Sequence, residues 1–524
     1  MRQRRHAAAA VAAVGTAALL TAACGARLTT AQRQAVLGST TSGTTGSADG
    51  GTFTGTGSTG TTDTGTGTGA TGATGAAGGT TTTGTGATGA TGATGGTRTT
   101  GSGSTGSTSS TGSTGGTTTT TKGKPSTGAS AAPASAAAGC PAGTLGASDT
   151  GVTASTITIG NASDITGPVP GLFTSAQDGV KAFVAYFNAT NQTVCGRQLA
   201  LKTYDSGTSD SSDHDAATKG CAETFALVGS ESAYDSGGAA VVAGCGIPDL
   251  RSSVNTHARY AVPNSFGTES ADEGHISSAI PDYFKGKFGD KVTQHAGFVY
   301  INVGVGAEQS KTFVGGYTAA GYKFVYTAGI DISDFNYQPY AQAMKDKGVD
   351  LIGFVGAESQ AARLAQAIHS VPGYNPDVFI LQPNAYDDTY PTAAGAAANG
   401  TYIYTDAALF SEAANNPEQS LYIQWLSRVD PSAKPSWFGQ FAWSAARLFV
   451  DTATKVGPNL TRKAFITQLK TVHAWTGNGI NSPQDVGGKT TSKCFAVIQY
   501  QNGQWTRQSP APYSCGSLLA TGNG

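Results

Sequence analysis

The sequence contains 524 residues, of which only 12% are charged, and its formal net charge is −1. Such a balance excludes a basic chain built to bind nucleic acid, because binding to a polyanion requires an excess of lysine and arginine. Glycine accounts for 74 residues, and much of it lies before residue 140. The remaining chain, about 380 residues, is long enough for two lobes of ordinary domain size.

The N-terminus has the pattern of an export signal. Three arginines precede an apolar run over residues 7–20, which is too short to span a bilayer comfortably. Residues 20–25 (LTAACG) resemble the lipobox of bacterial lipoproteins, in which the cysteine is lipidated and becomes the new N-terminus. We therefore expect residues 1–24 to be a lipoprotein signal peptide with Cys24 lipidated; the alternative is an ordinary cleaved secretory signal.

Residues 25–139 consist almost entirely of Thr, Gly, Ala and Ser. Few large apolar side chains are available to offset the entropy lost on ordering, so we expect a disordered tether. A Gly-rich coil of about 110 residues would have a root-mean-square span on the order of 60 Å. Such a tether would let the folded part stand off a membrane or reach through a cell wall; a spacer without any further role is the alternative.

Apart from Cys24, six cysteines remain, and an even number in an exported protein predicts disulfides. Cys494 and Cys515 flank one predicted hairpin and form the first expected pair. Cys221 and Cys245 lie on helices that should be neighbours and form the second. Cys140 with Cys195 follows by elimination only. A zinc site is not expected, because no CxxC pattern and no histidine at ligand spacing accompanies these cysteines.

Two runs of alternating strands and helices follow the tether. The first run comprises strand 156–160, helix 174–188, strand 199–204, helix 214–225, strand 226–228, helix 238–244 and strand 247–250. The second comprises helix 272–288, strand 296–301, helix 308–320, strand 322–326, helix 337–347, strand 350–354, helix 359–370 and strands 378–381 and 401–404. This alternation predicts an α/β protein with two similar lobes, each a parallel sheet covered by helices.

The last part of the chain has a different pattern. Helices are predicted over residues 418–429, 437–456 and 462–472, and the aromatic stripe on the second of them is interpreted as core packing. Strands 494–500 and 504–506 flank an Asn-Gly pair, which is a strong hairpin signal.

The sequence contains no recognisable catalytic constellation. It has no HExxH, no GxSxG and no GxxxxGK[ST] motif. Gly304-Val305-Gly306 is only part of a dinucleotide turn, since Gln309 stands where the third glycine would be. Three aspartates near residue 213 are explained by stabilisation of a helix start. We expect neither an enzyme nor a bound cofactor.

Polar residues lie in turns at the predicted carboxyl ends of the strands, where parallel α/β sheets bind ligands. Their hydroxyl, amide and backbone N–H groups suit a small polar solute, and two aromatic rings suit its apolar part. The candidate ligand-binding residues are Thr166, Phe173, Ser230, Glu231, Ser232, Ser252, Ser253, Asn302, Asn384 and Tyr386. Each of them could equally form a turn or a helix cap.

The chain resembles the type I periplasmic solute-binding proteins of ABC importers, the branched-chain amino acid-binding family. The resemblance covers roughly residues 150–510 and each motif in it is of moderate specificity, but their order and spacing are those of the family. The motifs are Ile157–Gly160 with Asp164–Pro168, Asp178–Val180 with Tyr186–Asn188, Cys195–Leu199, Phe225–Ser230 and Cys245–Asp249.

The resemblance implies two Rossmann-like lobes joined by a three-stranded hinge, with crossovers near residues 263–272, 405–416 and 480–490. It divides the chain into lobe I (140–268), lobe II (269–410), return helices of lobe I (411–485) and a C-terminal hairpin and tail of lobe II (486–524). Amino-acid binders of the family place serines at the solute carboxylate, which Ser230, Ser232 and Ser252 or Ser253 match. They also place an acid in lobe II at the solute ammonium, where this chain has residues 382–386 without an acid; Glu231 or Asp387 could substitute.

The function implied is capture of a small polar solute, such as an amino acid, an amide or a related small acid, and its delivery to an ABC permease. The protein would be a monomer, held by its N-terminal lipid at the outer face of the cytoplasmic membrane. A sensor of the same fold is one alternative. A structural protein of the cell wall is another, because the tether would suit it.

Overall fold

A computed structural model describes residues 139–523 of the chain. The expected signal peptide, the lipidation site Cys24 and residues 25–138 of the expected tether lie outside the described residues.

The first sheet is parallel throughout and has the strand order β2-β1-β3-β4-β5. Its strands are β1 (Thr156–Ser163), β2 (Gln198–Asp205), β3 (Ala226–Val228), β4 (Asp249–Arg251) and β5 (Ser265–Gly267). The helices between them are α1 (Thr174–Ala189), α2 (Asp210–Glu223), α3 (Ala239–Cys245) and α4 (His257–Tyr260). This sheet and its helices are called lobe I.

The second sheet has the order β13-β12-β11-β10-β9-β7-β8, with β14 paired to β12. Its strands are β7 (Ala296–Ile301), β8 (Phe324–Ile330), β9 (Leu351–Val355), β10 (Val378–Leu381), β11 (Tyr402–Thr405), β12 (Cys494–Gln501), β13 (Gln504–Arg507) and β14 (Ser514–Cys515). The accompanying helices are α5 (Ala279–Phe288), α6 (Asp290–Gln294), α7 (Gly304–Ala319), α8 (Gln338–Asp346), α9 (Glu358–Ser370) and α10 (Thr389–Ala394), with short 3₁₀ helices at Pro383–Ala385 and Gly395–Ala398. These elements are called lobe II, and the predicted two-lobed α/β class is confirmed.

One predicted helix is wrong. Residues 272–288 do not form a single helix, because His275–Ser277 is a strand, β6, that pairs antiparallel with β15 (Leu518–Ala520). Helix α5 begins only at Ala279, which places Pro281 in its first turn, where the missing N–H costs nothing. The pairing depends on a strand at the far end of the chain, which no local pattern can show.

The chain crosses between the lobes three times. After β11 and a 3₁₀ helix (Phe410–Asn415) it returns to lobe I as α11 (Pro417–Val429), α12 (Trp437–Val456) and α13 (Arg462–Leu469), and it then enters lobe II again as β12. The crossovers are held together by Gln484, which accepts from the backbone N–H of Ser270 and donates to Asp406, both at 2.9 Å. One residue of the third crossover is thus bonded to each of the other two.

The core of lobe I forms where α1 packs on α12. Phe183 of α1 and Trp443 of α12 are fully buried and meet edge to face, with ring centroids 5.0 Å apart. The backbones approach closely at Gly179 and Gly439, because a Cβ on Gly179 would overlap the Gly439 carbonyl group. The aromatic stripe of α12 is therefore core, as interpreted from the sequence.

Three disulfides join the same pairs that we expect from the sequence, namely Cys140–Cys195, Cys221–Cys245 and Cys494–Cys515. The last pair connects directly opposed residues of β12 and β14. Within residues 139–523, no helix combines the length and the apolar character needed to cross a bilayer.

Candidate functional site

A cleft lies between the lobes, lined by segments that follow the carboxyl ends of strands in both sheets. It consists of two adjoining cavities of about 200 Å³ and about 120 Å³. Five residues line both cavities, which makes the cleft continuous: Asn255, Gln309, Gln382, Asn384 and Phe438.

The first, larger cavity abuts the hinge. Glu269 follows β5, Asp406 follows β11 and Thr491 precedes β12, so residues beside all three crossovers line it. Its apolar wall includes Ile280, Phe313 and other hydrophobic side chains of lobe II, together with aromatic rings from the start of α12.

The second cavity is lined mainly by apolar residues. Phe173, at the start of α1, packs edge to face on Phe438 with ring centroids 4.7 Å apart. Opposite them lie apolar residues of lobe II, including Ile301, Val305 and Ile332. The lining residues of this cavity include no charged side chain.

Five carboxylates line the first cavity, and neither cavity is lined by a lysine or an arginine. Four of the five have partners within the described chain: Asp272 accepts from Thr491 N–H, Glu273 is paired with His257, Glu308 accepts from His257 N–H, and Asp406 accepts from Trp437 and Gln484. Over residues 139–523, no group donates a hydrogen bond to the carboxylate of Glu269.

Burial and negative neighbours set the ionisation of this end of the cleft. Desolvation raises the pKa of Glu269 well above its usual value, and the charges of Asp406 and Glu231 raise it further. Desolvation also raises the pKa of Asp406, to about 6, although hydrogen bonds from Trp437 and Gln484 oppose the rise.

The two lobes touch beside the cleft. Glu308 of α7 accepts a hydrogen bond of 2.9 Å from the backbone N–H of His257, the first residue of α4. Gly304, at the start of α7, lies against the loop that follows β3, because a Cβ placed on it would be 2.9 Å from the Ala233 carbonyl oxygen. The structure therefore has the lobes in contact across the mouth of the cleft.

Three of the ten predicted ligand-binding residues line the cleft. Phe173 forms part of the apolar cavity, Ser253 lines the first cavity, and Asn384 lines both. The hydroxyl of Ser253 already donates a hydrogen bond to Glu231 at 2.9 Å. Asn384 donates to Glu358 at 3.1 Å.

The structure places four others inside lobe I, where they make internal hydrogen bonds. Ser230 accepts from Ala162 N–H, Ser232 accepts from Tyr234 N–H, and Ser252 donates to the Gly229 carbonyl. Glu231 lies behind Ser253. These residues are fully buried and do not line either cavity.

The remaining three also lie outside the cleft lining. Thr166 is exposed and donates to Asp205 at 2.5 Å, and Asn302 is exposed beyond β7. Tyr386 is buried, stacks on Phe410 and accepts a hydrogen bond from its N–H. All three serve turns or core packing in this structure.

Glu231 and Asp387 are the acids that could replace the family's acidic residue at a solute ammonium group. Both accept hydrogen bonds from residues of their own lobe. Glu231 accepts from the N–H and hydroxyl of Ser253 and from Asn255, and burial raises its pKa to about 7. Asp387 accepts from the N–H and the hydroxyl of Thr389.

Sequence reasoning missed the residues at the hinge end of the cleft. Glu269 lies two residues after β5 and Asp406 directly follows β11, so the strand-end signal that selected Ser253 could have found them. Trp437 and Phe438 begin α12, a helix whose aromatic stripe is interpreted from the sequence as core packing without reference to these two residues. Tyr317 lies within α7, where no sequence pattern separates a cleft residue from a core residue.

The sheet of lobe I is parallel, and that of lobe II is parallel except where β12 pairs antiparallel with β11, β13 and β14. Two such lobes, joined by three crossovers and enclosing a cleft at their strand ends, define the type I fold of bilobal binding proteins. The chain belongs to the periplasmic binding protein family, whose model, described as "Periplasmic binding protein", matches residues 156–504.

Solved structures share the fold at low sequence identity. The fatty acid ABC transporter substrate-binding protein from Thermomonospora curvata is 19% identical with a TM-score of 0.59, over 70% of this chain and 94% of that one. A solute-binding protein of R. palustris in complex with 4-hydroxybenzoate is 16% identical with a TM-score of 0.58, over 69% and 97%. The branched-chain amino acid substrate-binding protein of Streptococcus pneumoniae in complex with isoleucine is 16% identical with a TM-score of 0.55, over 70% and 99%. No curated protein matches the chain.

Proposed function

We propose that the protein is an extracytoplasmic solute-binding protein that captures a small polar solute between its lobes and delivers it to an ABC importer. The observation that carries the proposal is the continuous cleft, whose walls come from strand ends of both lobes. Membership in the periplasmic binding protein family supports it. The solutes named for similar structures, isoleucine, 4-hydroxybenzoate and fatty acids, are small organic molecules.

The mechanism follows from the two-lobed geometry. A solute that contacts both walls stabilises the closed arrangement relative to an open one, so its binding shifts the population towards closure. The permease would then recognise the closed form. Lipid attachment at Cys24 would keep the protein at the outer face of the cytoplasmic membrane, with residues 25–139 as the tether.

Calorimetric titration against a library of amino acids, amides, amines, aromatic acids and fatty acids tests the proposal. We expect at least one solute to bind with one site per chain and to reduce the radius of gyration measured by X-ray scattering. Binding of that solute should weaken at least tenfold when Asn384, which lines both cavities, is replaced by Trp to fill the cleft. Absence of any binder in the library would contradict the proposal.

Delivery needs its own test. Disruption of the gene should abolish cellular uptake of the solute found by titration, and the wild-type gene, but not the Asn384→Trp variant, should restore it. Unchanged uptake in the disrupted strain would favour a sensor over an importer component.

A further inference from the structure

Three polar side chains in the wall of the first cavity are not engaged by any residue in the described part of the chain. They are the carboxylate of Glu269 and the hydroxyls of Tyr317 and Tyr404. Tyr317 is fully buried at 0% exposure, and its hydroxyl has no hydrogen-bond partner. Leaving a buried hydroxyl unpaired is costly, so a native structure that retains one calls for an explanation, of which a bound ligand is one.

The three groups line the same cavity. Burial raises the pKa of Tyr404 and the negative charges of Glu269 and Asp406 raise it further, while burial, Tyr322 and Tyr404 raise the pKa of Tyr317. Each group offers at least one hydrogen-bond acceptor. Together they form an acceptor-rich site at the hinge end of the cleft.

The charge around this site is uncompensated. The other four carboxylates of the cavity have hydrogen-bonded partners within the protein, whereas Glu269 has none among residues 139–523. The cleft lining offers no lysine or arginine as a counter-ion, and its histidine, His275, is already paired with Asp272 at 2.8 Å. A ligand carboxylate placed here would meet negative charge without a lysine or arginine to offset it, which is unfavourable in a partly desolvated site.

Beyond these groups the cleft has a large apolar surface. The Phe313 side chain and its neighbours flank the acceptor-rich site, and Asn384 and Phe438 continue into the second cavity, which is lined mainly by aliphatic and aromatic side chains, with a few amides and hydroxyls such as Gln360 and Thr208. A ligand that fills both cavities therefore needs a hydrocarbon or aromatic body.

We propose, resting on the solute-binding function above, that the solute is an amine: a protonated amino group seated against Glu269, Tyr317 and Tyr404, joined to an apolar body without a carboxylate. A primary ammonium group carries three N–H donors and no acceptor, which matches three acceptor-bearing side chains. The Glu269 charge then gains the partner that the protein does not supply.

Matched solutes test the charge preference on the full chain. Calorimetry would compare 3-methylbutylamine, leucine and 4-methylpentanoate, which share a branched hydrocarbon body and differ in charge. A second set, 2-phenylethylamine, phenylalanine and 3-phenylpropanoate, does the same with an aromatic body. We expect an amine to bind at least tenfold more tightly than the amino acid and the acid of its set.

Two variants locate the amine. Glu269→Gln keeps the size of the side chain and removes its charge, so amine affinity should fall about 10- to 100-fold. Tyr317→Phe should leave the thermal stability of the ligand-free protein unchanged or raised, since it removes an unpaired hydroxyl, while amine affinity falls severalfold. Glu223→Gln, on the outer surface of α2 and paired with Lys202, is the control and should bind as the wild type does.

Tighter binding of leucine or of either acid would overturn the inference and leave the proposed solute-binding function intact. Binding of neither amine would also overturn it, and in that case a binder elsewhere in the library separates this failure from failure of the proposed function. Unaltered amine affinity in both Glu269→Gln and Tyr317→Phe would show that the amine sits elsewhere and would overturn the assignment.

Discussion

The carboxylate of Glu308 in lobe II accepts a hydrogen bond from the backbone N–H of His257 in lobe I at 2.9 Å. Glu308 also lines the first cavity, so this bond lies where the lobes close over the cleft. A hydrogen bond between the two lobes stabilises the closed arrangement. A solute that binds preferentially to the closed arrangement therefore binds more tightly when this bond is present.

Replacing Glu308 by Ala should therefore weaken solute binding by about fivefold, since an exposed hydrogen bond to a charged group contributes about 1 kcal/mol. Glu308→Gln should retain most of the affinity, because its amide oxygen can still accept from His257. Calorimetry with the solute identified by titration measures both.

Lys311→Ala, an exposed change on the same helix, is the matched control. Equal affinities for Glu308→Ala and Lys311→Ala would show that the bond to His257 does not contribute to closure.

Gly304 offers a steric test of closure. Its φ of +42° suits glycine, and an added Cβ would lie 2.9 Å from the Ala233 carbonyl oxygen of the opposite lobe. Gly304→Ala should hold the lobes apart and lower solute affinity about tenfold. X-ray scattering in the presence of solute should show a larger radius of gyration than for the wild type.

The control is Gly289→Ala, at a φ of +66° with no atom within 4 Å of the added Cβ. Its positive φ also disfavours alanine, but the added Cβ makes no contact between the lobes, so only the thermal stability should fall. Parallel losses of affinity in the two variants would contradict a closure effect.

The raised pKa of Glu269 predicts a stability change with pH. The folded state holds the proton above about pH 4, where an unfolded glutamate has lost it, so the free energy of unfolding falls as pH rises towards the folded pKa. Glutamine does not titrate. The melting temperature of ligand-free Glu269→Gln should therefore rise relative to the wild type as the pH increases above about 4.5.

Replacing Glu223 by Gln should change the stability in the opposite direction, because hydrogen bonds from Lys202 and Tyr204 lower the pKa of Glu223. The Glu223→Gln variant should therefore melt below the wild type above about pH 4.5, and the difference should shrink as the pH falls through the lowered pKa. Melting curves of Glu269→Gln that track the wild type at every pH would show that Glu269 titrates normally, with Asp406, Glu231 and Tyr404 around it exerting no net effect.

The disulfide between Cys494 and Cys515 should stabilise lobe II mainly by restricting the unfolded chain. Replacing both cysteines by serine should lower the free energy of unfolding by about 3 kcal/mol. The Cys221–Cys245 pair has a similar sequence separation, 24 against 21 residues, and its removal should cost nearly the same. Denaturant titration measures the free energy of unfolding of both variants. If the two decreases differ severalfold, loop entropy does not determine the contribution of these disulfides.

Local patterns determined most of the elements. Strands 226–228, 296–301 and 378–381 and helix 437–456 have the bounds predicted from the sequence. A strand or helix that buries one face places apolar residues at every second position or at a period of 3.6 residues. Both patterns can be read within a short segment of the sequence, so they predict an element without knowledge of its partners. The order of these elements already indicated two lobes with a ligand site at their strand ends.

The tertiary structure alone decided which strand-end residues face the cleft. Ser230 and Ser253 both stand after buried strands, yet Ser230 bonds Ala162 inside lobe I while Ser253 lines the cavity. Side-chain direction in a turn depends on partners far away in sequence. The same holds for Glu269: its residue type and position could be read from the chain, but the absence of a lysine or arginine of the described residues from both cavity linings follows only from how the two lobes are brought together.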